Sequence, residues 1–425
     1  MNQYRPRIVD NQLERMLRRI GAVLVQGPKW CGKTTTAEQK AASVIYMDDP
    51  SRKKMYLQTA ELNIKMLLQG DTPRLMDEWQ LIPQLWDAVR FEVDHRKADG
   101  QFILTGSAVP ALTDEISHTG TGRFARLTMR TMSLLESGDS TGTVSLQWLF
   151  ENHHEQPAGA ANIDLDRLAF LICRGGWPNS IGKPEEDAID LAYDYFNAVV
   201  ESDISRVDGV KRNAELARRL TRSLARHQGG QVSLETIRKD MAANDEHFLG
   251  ETSFAQYMNA LKSIFVVDDM PAWNPNLRSK TAIRASDTRY FNDPSIAAAA
   301  LGVSPINLTH DLNTMGLMFE TLAVRDLRVY ANALNGNVYH FRDKSGLECD
   351  AVIHLRNGSY GLVEIKLGGN TLIEEGAKTL KTLAEKIDTT RMSEPSFMMI
   401  LTGVGDYPFR RDDGIYVVPI GCFGV

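Results

Sequence analysis

The stretch Ala22-Val23-Leu24-Val25-Gln26-Gly27-Pro28-Lys29-Trp30-Cys31-Gly32-Lys33-Thr34-Thr35 decides how this chain is read. An apolar run leads into Gly27–Thr34, which fits G-x-x-x-x-G-K-[ST], and a segment without Gly or Pro follows. Strand, loop and helix in that order are the context a phosphate-binding loop needs. Its glycines let the backbone wrap phosphates, and backbone N–H groups with the helix N-terminus supply positive potential. On this reading Gly27, Pro28, Lys29, Trp30, Cys31, Gly32, Lys33, Thr34 and Thr35 line ATP or GTP. Lys33 reaches the β/γ-phosphates and Thr34 holds Mg²⁺. Cys31 offers a probe: alkylation should block nucleotide binding, and ATP should protect the thiol.

Working outward, short apolar runs at Ala22–Gln26, Val44–Met47, Arg74–Asp77, Phe102–Thr105 and Leu127–Thr131 alternate with helical stretches. That alternation predicts a parallel sheet flanked by helices. Asp77 and Glu78 close the third run, where an Asp can hold the Mg²⁺ shell and the next Glu can orient an attacking water. The run Phe102–Thr105 ends in hydroxyls, so Thr105 or Ser107 is a candidate sensor of the γ-phosphate. Arg123, just beyond Thr119-Gly120-Thr121-Gly122, is the candidate arginine finger, acting across a subunit boundary and so requiring a homo-oligomer.

The bulk composition narrows the classes. A chain of 425 residues has room for about three domains. With 43% apolar and 24% charged residues it is expected to fold rather than remain disordered. A net charge of −6 does not suggest a general polyanion binder, so any nucleic-acid site must be a local patch. Met1–Arg7 carries no apolar signal core, and no run approaches a membrane span. Cys31, Cys173, Cys349 and Cys422 have neither metal spacing nor disulfide density. These features together lead to the expectation of a reduced, cytoplasmic protein with no membrane partner.

The middle of the chain reads as helical from Ile163 to Arg226. Arg218, Arg222 and Arg226 fall at i, i+4 and i+8, a basic ridge that is either a solvated face or a phosphate-tracking surface. Ser233–Met241 and a helix capped by Thr252-Ser253 precede an expected strand at Ile264–Met270 and a turn-rich stretch to Arg278-Ser279-Lys280. Two helices followed by a strand pair suggest a winged helix, a module that binds DNA in some proteins and joins domains in others.

Towards the C-terminal end, Tyr339–Asp343, Leu347–Leu355 and Tyr360–Leu367 read as three strands linked by turns at Ser345-Gly346 and Asn357-Gly358. Helical stretches at Thr314–Ala331 and Thr371–Ile387 flank them, and strands at Phe397–Thr402 and Ile415–Ile420 follow. Alternation puts Glu364 and Lys366 on one face of their strand, with Val363, Ile365 and Leu367 on the other. Asp350 on the adjoining strand and Glu320 on the preceding helix complete a set of carboxylates that can bind Mg²⁺, with a lysine to polarise water.

The phosphate loop, Leu75–Glu78, Arg174-Gly175-Gly176-Trp177-Pro178, Tyr290-Phe291-Asn292-Asp293-Pro294 and Val363-Glu364-Ile365-Lys366 together carry a resemblance. The chain resembles prokaryotic ATP-binding proteins that join an AAA-type ATPase to a C-terminal DUF4143 domain. The resemblance implies a restriction-endonuclease-like end of the PD-(D/E)xK type, with Asp350, Glu364 and Lys366 as its motif. Glu320 takes the helix position used by Holliday-junction-resolvase relatives, and Glu348-Cys349-Asp350 departs from the usual Pro-Asp.

The expected class is therefore α/β, with a P-loop AAA-type ATPase over 1–135 and a helical region over 136–228. A winged helix over 229–295 and a nuclease-like α/β domain over 305–425 complete it. The expected function is a Mg²⁺-dependent ATPase coupled to DNA, branched or duplex. The alternative is a nucleotide-gated signalling or defence switch with an inactive C-terminal scaffold that contacts protein.

Overall fold

Ala22 and Leu24 of strand β1 (Ala22–Gln26) pack into one apolar cluster, and Val23 and Val25 into another. The strand is therefore covered on both faces, as parallel strands are. The computed structural model describes residues 4–107, 120–151, 155–242, 249–274, 286–390 and 392–425. Their chain divides into two compact units.

The first unit comprises Met1–Thr131, Asp203–Lys211 and Asn259–Phe265. Its sheet adds β2 (Ser43–Tyr46), β3 (Arg74–Asp77), β4 (Phe102–Gly106) and β5 (Phe124–Thr128) to β1, all parallel, in the order β2-β3-β4-β1-β5. β4 thus lies between the loop-bearing strand and the strand that ends in Asp77. The helix Val9–Leu17 supplies Val9, Leu13 and Leu17 to the cluster on the Val23 face. The helix Leu85–Arg96 supplies Leu85, Trp86 and Val89 to the Leu24 face, with Trp79 wholly buried among them. The last strand was expected at Leu127–Thr131 and instead starts at Phe124. Its half-exposed Phe-Ala-Arg start hid the register, and Met129 donates its N–H to Gln26 O beyond the strand end.

The second unit comprises Met132–Ser202, Arg212–Met258 and Val266–Val425. A short strand β6 (Val144–Ser145) pairs in parallel with β13 (Phe423–Gly424). The six-stranded sheet is built from β7 (Gly336–Arg342), β8 (Glu348–Leu355), β9 (Tyr360–Lys366), β10 (Phe397–Thr402), β11 (Phe409–Arg410) and β12 (Tyr416–Pro419), ordered β11-β12-β10-β9-β8-β7. β7, β8 and β9 form an antiparallel meander, and β10 returns parallel to β9 after the helix Asn370–Lys386. Gly346 and Gly358 take left-handed backbone at the two turns, as the sequence predicted. Tyr360 to Ile365 of β9 are all buried, because the strand is central in the sheet.

Along the chain from β6 to β7 run the helices Leu165–Arg174, Glu185–Ala198, Ala214–Arg226, Leu234–Ala242 and Glu251–Ser263. The expected strand at Ile264–Met270 does not form. Phe265 takes a left-handed turn (φ 59°), and only isolated bridges follow, Val267 with Phe291 and Met270 with Thr288. Arg278-Ser279-Lys280 lies outside the described residues, as does Thr119.

Two of the motifs behind the family resemblance are structural. Asp293 accepts from Gly176 N at 2.9 Å and from Arg325 at 3.1 Å, and Trp177 Nε1 donates to Ser295 Oγ at 2.9 Å. A Cβ on Gly176 would lie 2.1 Å from Met132 O, so only glycine fits there. Arg325 also pairs with Asp326, which accepts from Leu134 N. Burial pushes the Asp326 carboxyl up to about 6 despite that guanidinium.

Among the described residues no helix is long and apolar enough to cross a membrane. The four cysteines are free thiols, all buried.

Candidate functional site

The parallel order of β1, β4 and β3 brings their C-terminal ends to one edge of the first unit's sheet. The register aligns Val25 with Thr105 and Thr105 with Asp77, so Thr105 stands between the loop-bearing strand and Asp77. Beyond Gln26 the backbone turns at Gly27 (φ 155°), Trp30 (φ 64°) and Gly32 (φ 95°) before the helix Lys33–Glu38. Gly27 is obligatory: a Cβ there would sit 2.1 Å from Met129 O. Arg7 braces the loop, donating to Cys31 O at 2.8 Å and Arg130 O at 2.9 Å.

Within this frame Lys33 is buried and its ammonium donates to Pro28 O at 2.7 Å. Thr34 Oγ1 donates to Asp77 Oδ1 at 2.7 Å, and Thr105 Oγ1 donates to the same oxygen at 2.5 Å. Glu78 follows in left-handed backbone (φ 52°, ψ 44°), and its Oε2 accepts from Gln80 Nε2. A non-glycine residue held there costs about 1–3 kcal/mol, which surrounding structure must offset. Burial raises both acidic side chains above the ordinary carboxylate range; the Thr105 and Thr34 hydroxyls pull Asp77 back, and Lys33 pulls Glu78 back. A buried amine beside hydroxyl and carboxylate oxygens fits a triphosphate with Mg²⁺, a cation that prefers hard oxygen donors. Thr34 and Asp77 would hold the cation, and Lys33 the phosphates.

The remaining loop residues divide by exposure. Trp30 and Thr35 face solvent, while Cys31 is buried and its Sγ lies 3.8 Å from Met129 O. Cys31 therefore contributes backbone only, and its thiol is turned into the core, away from where an alkylating agent meets it. Ser107 is buried as Thr105 is, but Thr105 is the hydroxyl that bonds Asp77. Arg123 lies at the other end of the sheet: its carbonyl accepts from Ala22 N at the start of β1, and its guanidinium pairs with Asp94 at 2.7 Å. It cannot reach the phosphate loop of its own chain, some 16 Å away along the strand.

Arg7, Gln80 and Asp203 belong to this site and were not singled out from the sequence. Asp203 accepts from Lys29 Nζ at 2.5 Å across 174 positions of sequence, a separation that leaves no local signal. Gln80, two residues past Glu78, was the one within reach of a local reading.

In the second unit the structure brings Asp350, Glu364 and Lys366 into contact, while Glu320 bonds to Tyr290 instead. The register pairs Ala351 with Val363, which sets Asp350 beside Glu364. Lys366 Nζ lies 2.7 Å from Glu364 Oε2 and 3.0 Å from Asp350 Oδ2, which also accepts from Ile365 N at 2.7 Å. Glu320, on the helix Leu312–Ala333, accepts from the buried Tyr290 hydroxyl, and its oxygens pack over Gly229. Burial and then Asp350 push the Glu320 and Glu364 carboxyls up to about 8 each. Burial would lower the Lys366 amine, but Asp350 and Glu364 reverse that and raise it. Among the described residues no group of three or more His, Cys, Asp or Glu is arranged around a cation position.

The basic ridge is largely committed within the second unit. Arg218 pairs with Glu201 at 2.7 Å and Arg226 with Asp240 at 2.8 Å, whereas Arg222 is exposed.

Three family models match the chain. They are an AAA domain over residues 20–137, a domain of unknown function (DUF8612) over 165–307, and a domain of unknown function (DUF4143) over 315–423. Two bacterial proteins are similar over nearly all of it: uncharacterized proteins Mb2031c of Mycobacterium bovis and Rv2008c of Mycobacterium tuberculosis. Each is 24% identical over 414 residues, covering 96% of this chain and 82% of its own length. Among solved structures, the Walker-type ATPase PABY2304 of Pyrococcus abyssi is 12% identical, with a TM-score of 0.42 over 68% of this chain and 94% of its own. The Aeropyrum pernix ORC2 protein, in ADPNP and ADP complexes, is 12% identical, with a TM-score of 0.34 over 73% of this chain and 97% of its own.

Proposed function

Starting from a prokaryotic AAA-type protein with a DUF4143 domain towards its C-terminal end, we propose that this chain is a Mg²⁺-dependent ATPase coupled to DNA through a nuclease-like C-terminal domain. The observation that carries the ATPase half is the Asp77 carboxylate receiving both Thr34 and Thr105, with Lys33 in the same loop and Glu78 next in the chain. Lys33 draws charge from the transferring phosphoryl group, Thr34 and Asp77 hold Mg²⁺, and Glu78 takes a proton from the attacking water. Mg²⁺ supplies charge neutralisation across the phosphates. Arg123 serves a neighbouring copy, so the working form is a homo-oligomer.

The DNA half rests on Asp350, Glu364 and Lys366 lying within ion-pair distance on adjacent strands, with Glu320 completing the carboxylate set. These contacts support reading the three residues as a PD-(D/E)xK motif, and a winged-helix-like middle would accompany it. One observation favours a second reading, a nucleotide-gated switch with an inactive scaffold. The Lys366 ammonium already closes the two carboxylates on itself.

ATP hydrolysis by the wild type and Glu78→Gln, with no nucleic acid, single strands, duplex and a four-way junction, decides between them. Stimulation by one DNA form, lost in Glu78→Gln, supports the DNA-coupled ATPase. Hydrolysis indifferent to every form favours the switch.

A further inference from the structure

Asp203 ends a widened helical turn, Val199–Asp203, and opens the segment Asp203–Lys211. That segment packs as part of the first unit, although the residues on both sides of it, up to Ser202 and from Arg212, belong to the second. The Lys29 ammonium in the phosphate loop donates to Asp203 Oδ1 at 2.5 Å. The Lys29 side chain is 40% exposed and that of Asp203 only 9%.

We infer that Asp203 is a residue of the nucleotide site, holding Lys29 until a nucleoside triphosphate takes the ammonium from it and frees the segment Asp203–Lys211. The inference rests on the ATP-binding reading above. A triphosphate wrapped by Gly27–Thr34 places several negative charges beside Lys29, and these compete with a single carboxylate for it. The Lys29 end of the pair is 40% exposed, so phosphate oxygens can reach the ammonium. Once Lys29 turns to the phosphates, the ion pair that ties Asp203 to the loop is gone, and the segment is held to the loop by one contact fewer. Because it is joined covalently to the second unit at both ends, the nucleotide state of the loop is passed into the chain leading to the helix Ala214–Arg226.

The test is hydrogen–deuterium exchange of the full chain, with and without the β,γ-imido analogue of ATP and Mg²⁺, alongside direct binding of that analogue. In the wild type, saturating analogue should raise uptake in peptides covering 203–211. Asp203→Asn should show raised uptake before nucleotide is added and should bind the analogue about fivefold more tightly. Asp203→Glu should restore wild-type behaviour. Lys29→Ala, which removes the other half of the pair from an exposed position, should raise uptake and abolish the response to analogue. Analogue bound with unchanged uptake at 203–211, or weaker binding by Asp203→Asn, overturns the inference and leaves the ATP site standing. No binding by the wild type overturns both.

Discussion

Thr105 donates its hydroxyl hydrogen to Oδ1 of Asp77, at 2.5 Å, from the strand that separates Asp77 from the phosphate loop. The pairing turns an ordinary strand-end threonine into a determinant of where the buried carboxylate points. Thr105→Val keeps the shape and removes the donor. Asp77 Oδ1 keeps Thr34 as a donor, so the variant loses one of two hydrogen bonds, a cost of about 1 kcal/mol that urea unfolding should show. Single-turnover hydrolysis should fall about tenfold or more while ATP affinity stays within a few-fold, and Thr105→Ser should recover most of the rate. Loss of binding with an intact rate would remove Thr105 from the Asp77 shell.

Glu78 and Lys33 should separate hydrolysis from binding. Glu78→Gln keeps the side-chain shape and the contact with Gln80 but cannot take a proton, so turnover should drop by about 10²–10⁴ with nucleotide still bound. Lys33→Ala should lose nucleotide binding itself, read by equilibrium binding of labelled ATP. Equal turnover in Glu78→Gln and the wild type would dismiss Glu78 as the base.

Cys31 should resist thiol reagents in the native protein. The motif places it among the phosphate-binding residues, which suggested labelling sensitive to ATP. Its side chain is instead buried against the strand-end backbone at Met129. Native-state alkylation should be slow with and without ATP, and fast once the protein is unfolded in urea. Rapid native labelling suppressed by ATP would return the thiol to the phosphate side of the loop.

What the sequence made legible follows from how local each determinant is. Gly27–Thr34 and Asp77-Glu78 could be read because each lies within a few residues at a strand end. Asp350, Glu364 and Lys366 could be read because a period of two and a glycine turn fix which side chains meet. Lys29 with Asp203, and Tyr290 with Glu320, join residues far apart in the chain, and no periodicity encodes them. The strand expected at Ile264–Met270 failed because apolar content says nothing of the left-handed turn at Phe265. Arg218 and Arg226 looked available on a helical wheel, but Glu201 and Asp240 occupy them from other helices.

The Arg325 network should carry much of the second unit's stability. Its guanidinium is 1% exposed and paired with Asp293 and Asp326. Arg325→Ala leaves two buried carboxylates without their cation and should cost about 3–5 kcal/mol in urea unfolding. Gly176→Ala should also destabilise, because its Cβ meets Met132 O. Stability within about 0.5 kcal/mol of wild type in Arg325→Ala would mean that the network does not hold the fold.

Glu320 and Glu364 give the second unit a pH dependence of definite sign. Burial and Asp350 push both folded-state carboxyls up to about 8, from an ordinary value of 4.5. Between those limits the folded chain binds more protons than the unfolded chain. Stability is therefore fully present below about pH 4.5 and is lost as pH rises through about 8, by up to about 1.4 kcal/mol per pH unit for each excess proton. Urea unfolding from pH 6 to 8.5 in EDTA should show the decline, and Glu320→Gln or Glu364→Gln should flatten it. Repeating the series with Mg²⁺ tests the sequence expectation that these carboxylates take a cation, because a bound cation favours the charged carboxylates and removes the slope. An unchanged slope in Mg²⁺ would exclude the cation from this cluster and leave Lys366 as the counter-charge of Glu364.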